Sequence, residues 1–148
     1  MLRLSKKVEY ALLALHHMSA DRVDVFTVKE MAEHFGISFE LLAKVMSSLA
    51  KAGIVKSSQG VHGGFTMARP ADQVSIRDVL DAVQGSQQRL VECGSHPEQS
   101  CTIESACTIK HPLMKLQAVI DQAMASMAIA DLHTQQNTFV DVTMEIQE

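Results

Sequence analysis

The chain has 148 residues, 47% apolar and 20% charged, with a formal net charge of −4. That size and balance describe one folded domain able to bury a core, and they exclude a disordered chain. No apolar run approaches the roughly 20 residues of a membrane span, and the run at residues 11–15 is too short for a secretory signal, so a cytoplasmic protein without a membrane partner is expected.

Leu4, Val8, Ala11, Leu12, Leu15 and Met18 lie on one stripe at helical spacing, which predicts a first helix over residues 4–20. Residues 21–26 read as a connector. Thr27 followed by Glu30 is a capping box, in which each side chain can bond the other residue's backbone N–H, and it opens a short helix over 28–35. Gly36 ends that helix and Ile37 is a buried turn residue. Ser38 is a good N-cap for a third helix over 39–52, which Gly53 ends. The pattern then changes. Residues 54–58 and 65–68 are strand candidates around Gln59, Gly60, Val61, His62, Gly63 and Gly64, where glycine supplies the positive φ of a hairpin tip. Arg69-Pro70 closes the second strand. Ser75 opens another short helix that ends at Gly85. Residues 87–110 are polar and hold all three cysteines. Residues 112–130 are helical again, with Leu113, Leu116, Ile120, Ala123 and Met127 stepping by three and four. The tail beyond Leu132 is polar and weakly patterned.

Two short helices joined by a glycine turn and followed by a glycine-tipped hairpin describe a winged helix-turn-helix. The net charge alone speaks against nucleic acid, but residues 1–70 carry nine Lys and Arg against six Asp and Glu, whereas residues 71–148 carry four against eleven. The N-terminal half therefore offers a basic working surface. A helix fits the major groove, where base edges present distinct donors and acceptors. In the third helix Leu41, Leu42, Val45, Met46 and Leu49 can face a core. Glu40, Lys44, Ser47 and Lys51 form a polar stripe. Thr27, Ser38, Gln59 and His62 complete the candidate DNA-binding set, and Arg3, Lys6, Lys7 and Lys56 are candidates for phosphate contacts. Such a stripe is also what a merely solvated helix face looks like, and winged helices also serve as adaptors that bind protein. The ordered run of capping box, turn, helix and glycine-rich hairpin favours DNA. An enzyme is not expected. His16-His17 is the only close histidine pair, and no metalloprotease, nucleophile-elbow or phosphate-loop motif is present.

Cys93, Cys101 and Cys107 fall within 15 residues, spaced C-x7-C-x5-C. An odd number argues against a closed disulfide framework. There is no close C-x2–4-C pair of a structural zinc site and no C-x-x-C of thioredoxin chemistry. Wider spacing on one polar loop lets three thiolates wrap a larger cofactor, and iron–sulfur clusters tolerate a non-cysteine ligand. Unligated thiols, or a pair that oxidises to a disulfide, fit the same spacing.

Leu4-Ser5-Lys6, Tyr10-Ala11, Lys51-Ala52-Gly53-Ile54-Val55, Gly63-Gly64-Phe65, Ala68-Arg69-Pro70 and Ile76-Arg77-Asp78-Val79 before Gly85 resemble the signatures of the Rrf2 family of bacterial winged-helix regulators. The resemblance covers residues 1–132. It implies a mainly α fold with a small β wing: a winged helix-turn-helix at 1–86, a cysteine-bearing cluster loop at 87–110, a long C-terminal dimerisation helix at 111–132 and a tail at 133–148. It further implies a homodimer on a roughly palindromic double-stranded operator, acting as a repressor. The residues 113–127 suit helix pairing, and equally suit packing against their own domain.

The three cysteines are similar to those of the iron–sulfur NsrR-, RirA- and IscR-like members, and imply a cluster ligated by Cys93, Cys101 and Cys107, a four-iron rather than a two-iron one. By the same resemblance, the fourth ligand is an acid in the first helix donated by the partner subunit, here Glu9. IscR-like members use a histidine three residues after the last cysteine, where this chain has Lys110. His111 one residue on is the second choice, with His96, solvent or a small molecule behind it. Many members carry an arginine at the wing tip where this chain has Gln59. The expected activity is operator binding controlled by a cluster that senses nitric oxide, iron or redox state. The alternative is a cluster-free regulator using its cysteines as a thiol switch.

Overall fold

A computed structural model of the chain describes residues 3–20, 25–61, 63–85, 103 and 106–133. The first helix, α1, runs Lys6–Ala20, and its spacing of three and four carries Val8, Ala11, Ala14, Leu15 and Met18 into the core. The expected capping box starts α2, Val28–Phe35. Thr27 Oγ1 accepts from the Glu30 N–H at 3.2 Å, and the Glu30 carboxylate accepts from the Thr27 N–H at 3.4 Å. Gly36 ends the helix in the left-handed region at φ 64°, which a side chain would resist. The turn then delivers Ser38, whose Oγ accepts from the Leu41 N–H and starts α3, Phe39–Lys51. Leu42, Val45, Met46 and Leu49 of α3 are buried. Leu41, expected with them, is half-buried beside α1.

Strands β1, Val55–Ser58, and β2, Gly64–Met67, pair antiparallel with Val55 opposite Met67 and Ser58 opposite Gly64. Residues 21–26 do not all serve as a connector. Phe26 pairs antiparallel with Phe65, exchanging two backbone hydrogen bonds of 2.9 and 2.8 Å, and its ring is buried. This pairing explains the third wing glycine. A Cβ on Gly64 would stand 2.6 Å from the Phe26 carbonyl oxygen, so the two backbones approach this closely only without a side chain. The position needs glycine for space, not for a positive φ.

A 3-10 turn, Ala71–Gln73, leads to α4, Ile76–Gln84, capped by Ser75 and Asp78 in a second capping box. The last helix, α5, spans Lys110–Ser126. Read from its pattern over 112–130, it stops four residues early. The chain leaves α5 in extended conformation at Met127, whose carbonyl accepts from the Ile76 N–H at 2.9 Å. The Ile129 N–H then donates to the Val74 carbonyl at 2.8 Å. Ile129 opens a 3-10 turn, Ile129–His133, and buries its side chain fully in the same core as α1, α3 and α4. His133 holds the turn against α1, stacked on His16 and hydrogen-bonded to Ser19 Oγ at 2.7 Å.

On α4, Arg77 donates to Asp81 at 3.0 Å and also to Asp121 of α5, fixing how the two helices meet. These acceptors, Asp81 foremost, raise the Arg77 pKa further above its ordinary value. The expected stripe of α5 is divided by this docking. Leu113 and Ile120 are partly covered, whereas Leu116, Ala123 and Met127 stay exposed. Among the described residues no helix is long and apolar enough to cross a membrane.

Candidate nucleic-acid interface

The α2–Gly36–α3 unit leaves one face of α3 open. At about 100° per residue, Glu40, Lys44, Ser47 and Lys51 share the side opposite Leu42, Val45 and Leu49. All four are exposed. The structure thus brings together the polar stripe expected from sequence, and it does so because the apolar side of the same helix is spent on the core. Lys56 is exposed on β1 and Gln59 at the wing tip, so α3 and the wing present polar groups that can reach a groove and its flanking phosphates. Arg3, Lys6 and Lys7 are exposed at the start of α1. A cleft lined by Ser5, Lys6, Lys7, Leu41, Val83 and Gln84 joins that start to the first turn of α3. His62 lies outside the described residues.

Two candidates have local duties. Thr27 Oγ1 lies 2.7 Å from the Glu30 carboxylate within the capping box, and Ser38 Oγ is the N-cap of α3. Lys6 donates to the Glu9 carboxylate, and this hydrogen bond, with the charge of Glu9 behind it, raises the Lys6 pKa. Sequence reasoning passed over Phe39 and Val61, which are 55% and 99% exposed. Phe39 follows the N-cap directly and lies on the flank of α3 beside the core-facing row.

For the cluster candidates, the described residues hold Cys107, Glu9 and His111. Cys107 is a half-buried free thiol three residues before α5. Glu9 is part-exposed on α1, and His111 is exposed in the first turn of α5. Cys93, Cys101 and His96 lie outside the described residues. Among the described residues no three His, Cys, Asp or Glu side chains converge as a metal site, as expected when two of three thiols lie outside them. The donor set still fits a cluster chemically, because three soft sulfurs within 15 residues can be completed by a single hard oxygen.

Residues 4–135 match the Rrf2 family, described as an iron-dependent transcriptional regulator. The chain belongs to the Rrf2 family. It is therefore a winged-helix, DNA-binding transcription regulator and not an enzyme. It is 29% identical over 133 residues to the HTH-type transcriptional regulator NsrR of Oceanobacillus iheyensis, covering 88% of this chain and 89% of that one. The fold is similar to that of CymR, the global cysteine regulator of B. subtilis, with a TM-score of 0.72 at 20% identity, covering 93% of this chain and all of that one. It is also similar to T. potens IscR, with a TM-score of 0.61 at 25% identity over 88% of this chain and 85% of that one.

Proposed function

We propose that this Rrf2 regulator is a homodimeric repressor of a roughly palindromic operator, and that an iron–sulfur cluster sets its operator affinity. The observation that carries the DNA reading is the exposed stripe Glu40, Lys44, Ser47 and Lys51 on a helix whose other side is locked into the core. Lys44 and Lys51 supply charge to the groove and its phosphates. Glu40 accepts from a cytosine or adenine amino group, the only partners that make a carboxylate welcome among phosphates. Lys6, Lys7 and Lys56 set register on the backbone. Gln59 and His62 at the wing approach the adjacent minor groove, where Gln59 in place of arginine weakens the attraction to a narrow groove.

Dimerisation is supported by α5. Leu116 and Val119 are exposed on the side turned from α4, three residues apart, and helix pairing would bury them. Two copies in an isologous dimer present two α3 helices, which is why a palindromic site is expected.

The cluster reading is supported by the three-cysteine loop and by the iron dependence in the family's description. Cys93, Cys101 and Cys107 would hold it, with the partner's Glu9 as the fourth ligand and His111 as second choice. When bound, such a four-iron group supplies an iron with an exchangeable oxygen ligand, open to nitric oxide, oxygen or iron loss. A Glu9 carboxylate engaged there is withdrawn from Lys6, so one residue links the sensing loop to the phosphate-binding start of α1.

Anaerobic purification, with visible absorption and iron and sulfide counted per chain, tests the reading. A brown protein with about four irons and matching sulfide is expected. A colourless protein, iron-free even after anaerobic reconstitution, would sink the cluster and leave the thiol switch, to be tested by counting free thiols before and after oxidation.

A further inference from the structure

Phe39 is the first residue of α3, directly after the N-cap Ser38. Its side chain is 55% exposed and takes no part in the hydrophobic core. Single exposed apolar residues are ordinary on protein surfaces, so the position carries the argument and not the exposure. Phe39 stands one turn before Ala43, on the flank of α3 between the polar stripe and the core-facing row. The cleft between α1 and α3 sets Lys6 and Lys7 beside Leu41, on the flank of the first turn away from Phe39, so two ammonium groups stand near that end of the helix. A recognition helix enters the major groove with its N-terminal residues against the base edges. Phe39, the first residue of that helix, then stands within reach of a base edge.

A phenyl ring offers nothing to the donors and acceptors of base edges. The apolar group that the major groove does present is the C5 methyl of thymine. We propose that Phe39 is a specificity-determining residue whose ring packs on a thymine methyl in each operator half-site. The inference rests on DNA binding by α3 and adds to it an apolar contact that the polar stripe cannot make. Glu40 in the same turn favours an amino-bearing base nearby, so the two residues together favour a thymine next to a cytosine or adenine. Burying one methyl corresponds to about a fourfold gain in affinity.

The test uses the full-length protein. Duplexes of about 30 base pairs, long enough for two half-sites, are selected from a randomised library at fixed salt. Binding of the enriched duplex is then compared with copies in which single thymines are replaced by deoxyuridine, which lacks only the methyl. The expected result is one thymine per half-site whose replacement weakens wild-type binding about fourfold. The same replacement has no effect on Phe39→Ser, and Phe39→Leu retains part of it. The salt dependence is equal in all three, because no phosphate contact changes. A melting temperature unchanged in Phe39→Ser separates the effect from misfolding. The proposal is overturned, with DNA binding intact, if no deoxyuridine replacement weakens wild-type binding or if Phe39→Ser loses as much as wild type. Failure to enrich any duplex, with no salt-dependent binding, overturns both readings.

Discussion

Lys6 Nζ donates a hydrogen bond to the Glu9 carboxylate across one turn of α1. Both side chains are exposed, at 67% and 42%, so solvent screens the pair and it contributes little to holding the helix. Its interest lies in what each partner is otherwise suited to do. Glu9 is the proposed fourth cluster ligand and Lys6 a proposed phosphate contact. Glu9→Ala should leave folding and apo-protein DNA binding unchanged within about twofold, while the visible spectrum of the reconstituted protein decays faster than wild type. An unchanged spectrum and decay rate would remove Glu9 from the ligand set.

Lys44 projects from the open face of α3, on a different helix from the exposed apolar residues of α5. Lys44→Ala should weaken operator binding roughly tenfold and leave the monomer–dimer equilibrium in place. Anisotropy titration and sedimentation of the same samples check this. Equal loss in both would make the stripe a structural face.

Gly64 sits where a Cβ would meet the Phe26 carbonyl oxygen at 2.6 Å, a backbone atom that cannot rotate away. Gly64→Ala should cost about 1–3 kcal/mol through this overlap. The Phe26 and Phe65 amides, which donate across the pairing, should lose hydrogen-exchange protection first. Protection equal to wild type would mean that β2 shifts to accept the methyl.

Ile129 reaches the core from beyond α5 and is fully buried there. Ile129→Ala should lower unfolding stability by about 2–5 kcal/mol, read as a reduced midpoint in urea. A loss below 1 kcal/mol would mean that the 3-10 turn is not part of the cooperative unit.

Much of the fold was legible from residues 27–53 alone. Thr27 with Glu30, Gly36 and Ser38 are local signals that act within one helical turn, so the ends of α2 and the start of α3 fell where expected. Ser75 and Gly85 did the same for α4. The stripe on α3 was legible because one side of that helix is strongly apolar and the other is not. Phe39 was placed in neither row, because its position falls between the core-facing side and the polar one. Thr27 and Ser38 show the reverse: polar residues in the helix-turn-helix, each already engaged by a backbone N–H of the helix it starts.

The sequence by itself determined the helices, the glycine-tipped hairpin and the polar face of α3, because caps, turns and amphipathic spacing are settled by neighbours within about four residues. Only the tertiary structure decided that Phe26 joins the wing sheet, that α5 ends at Ser126 so that Ile129 can enter the core, and which side of α5 stays uncovered. Those outcomes depend on contacts between residues far apart in the chain. Apolar side chains occur around much of α5, so its own pattern does not say which side docks. The Arg77–Asp121 bridge and the return of Ile129 choose it.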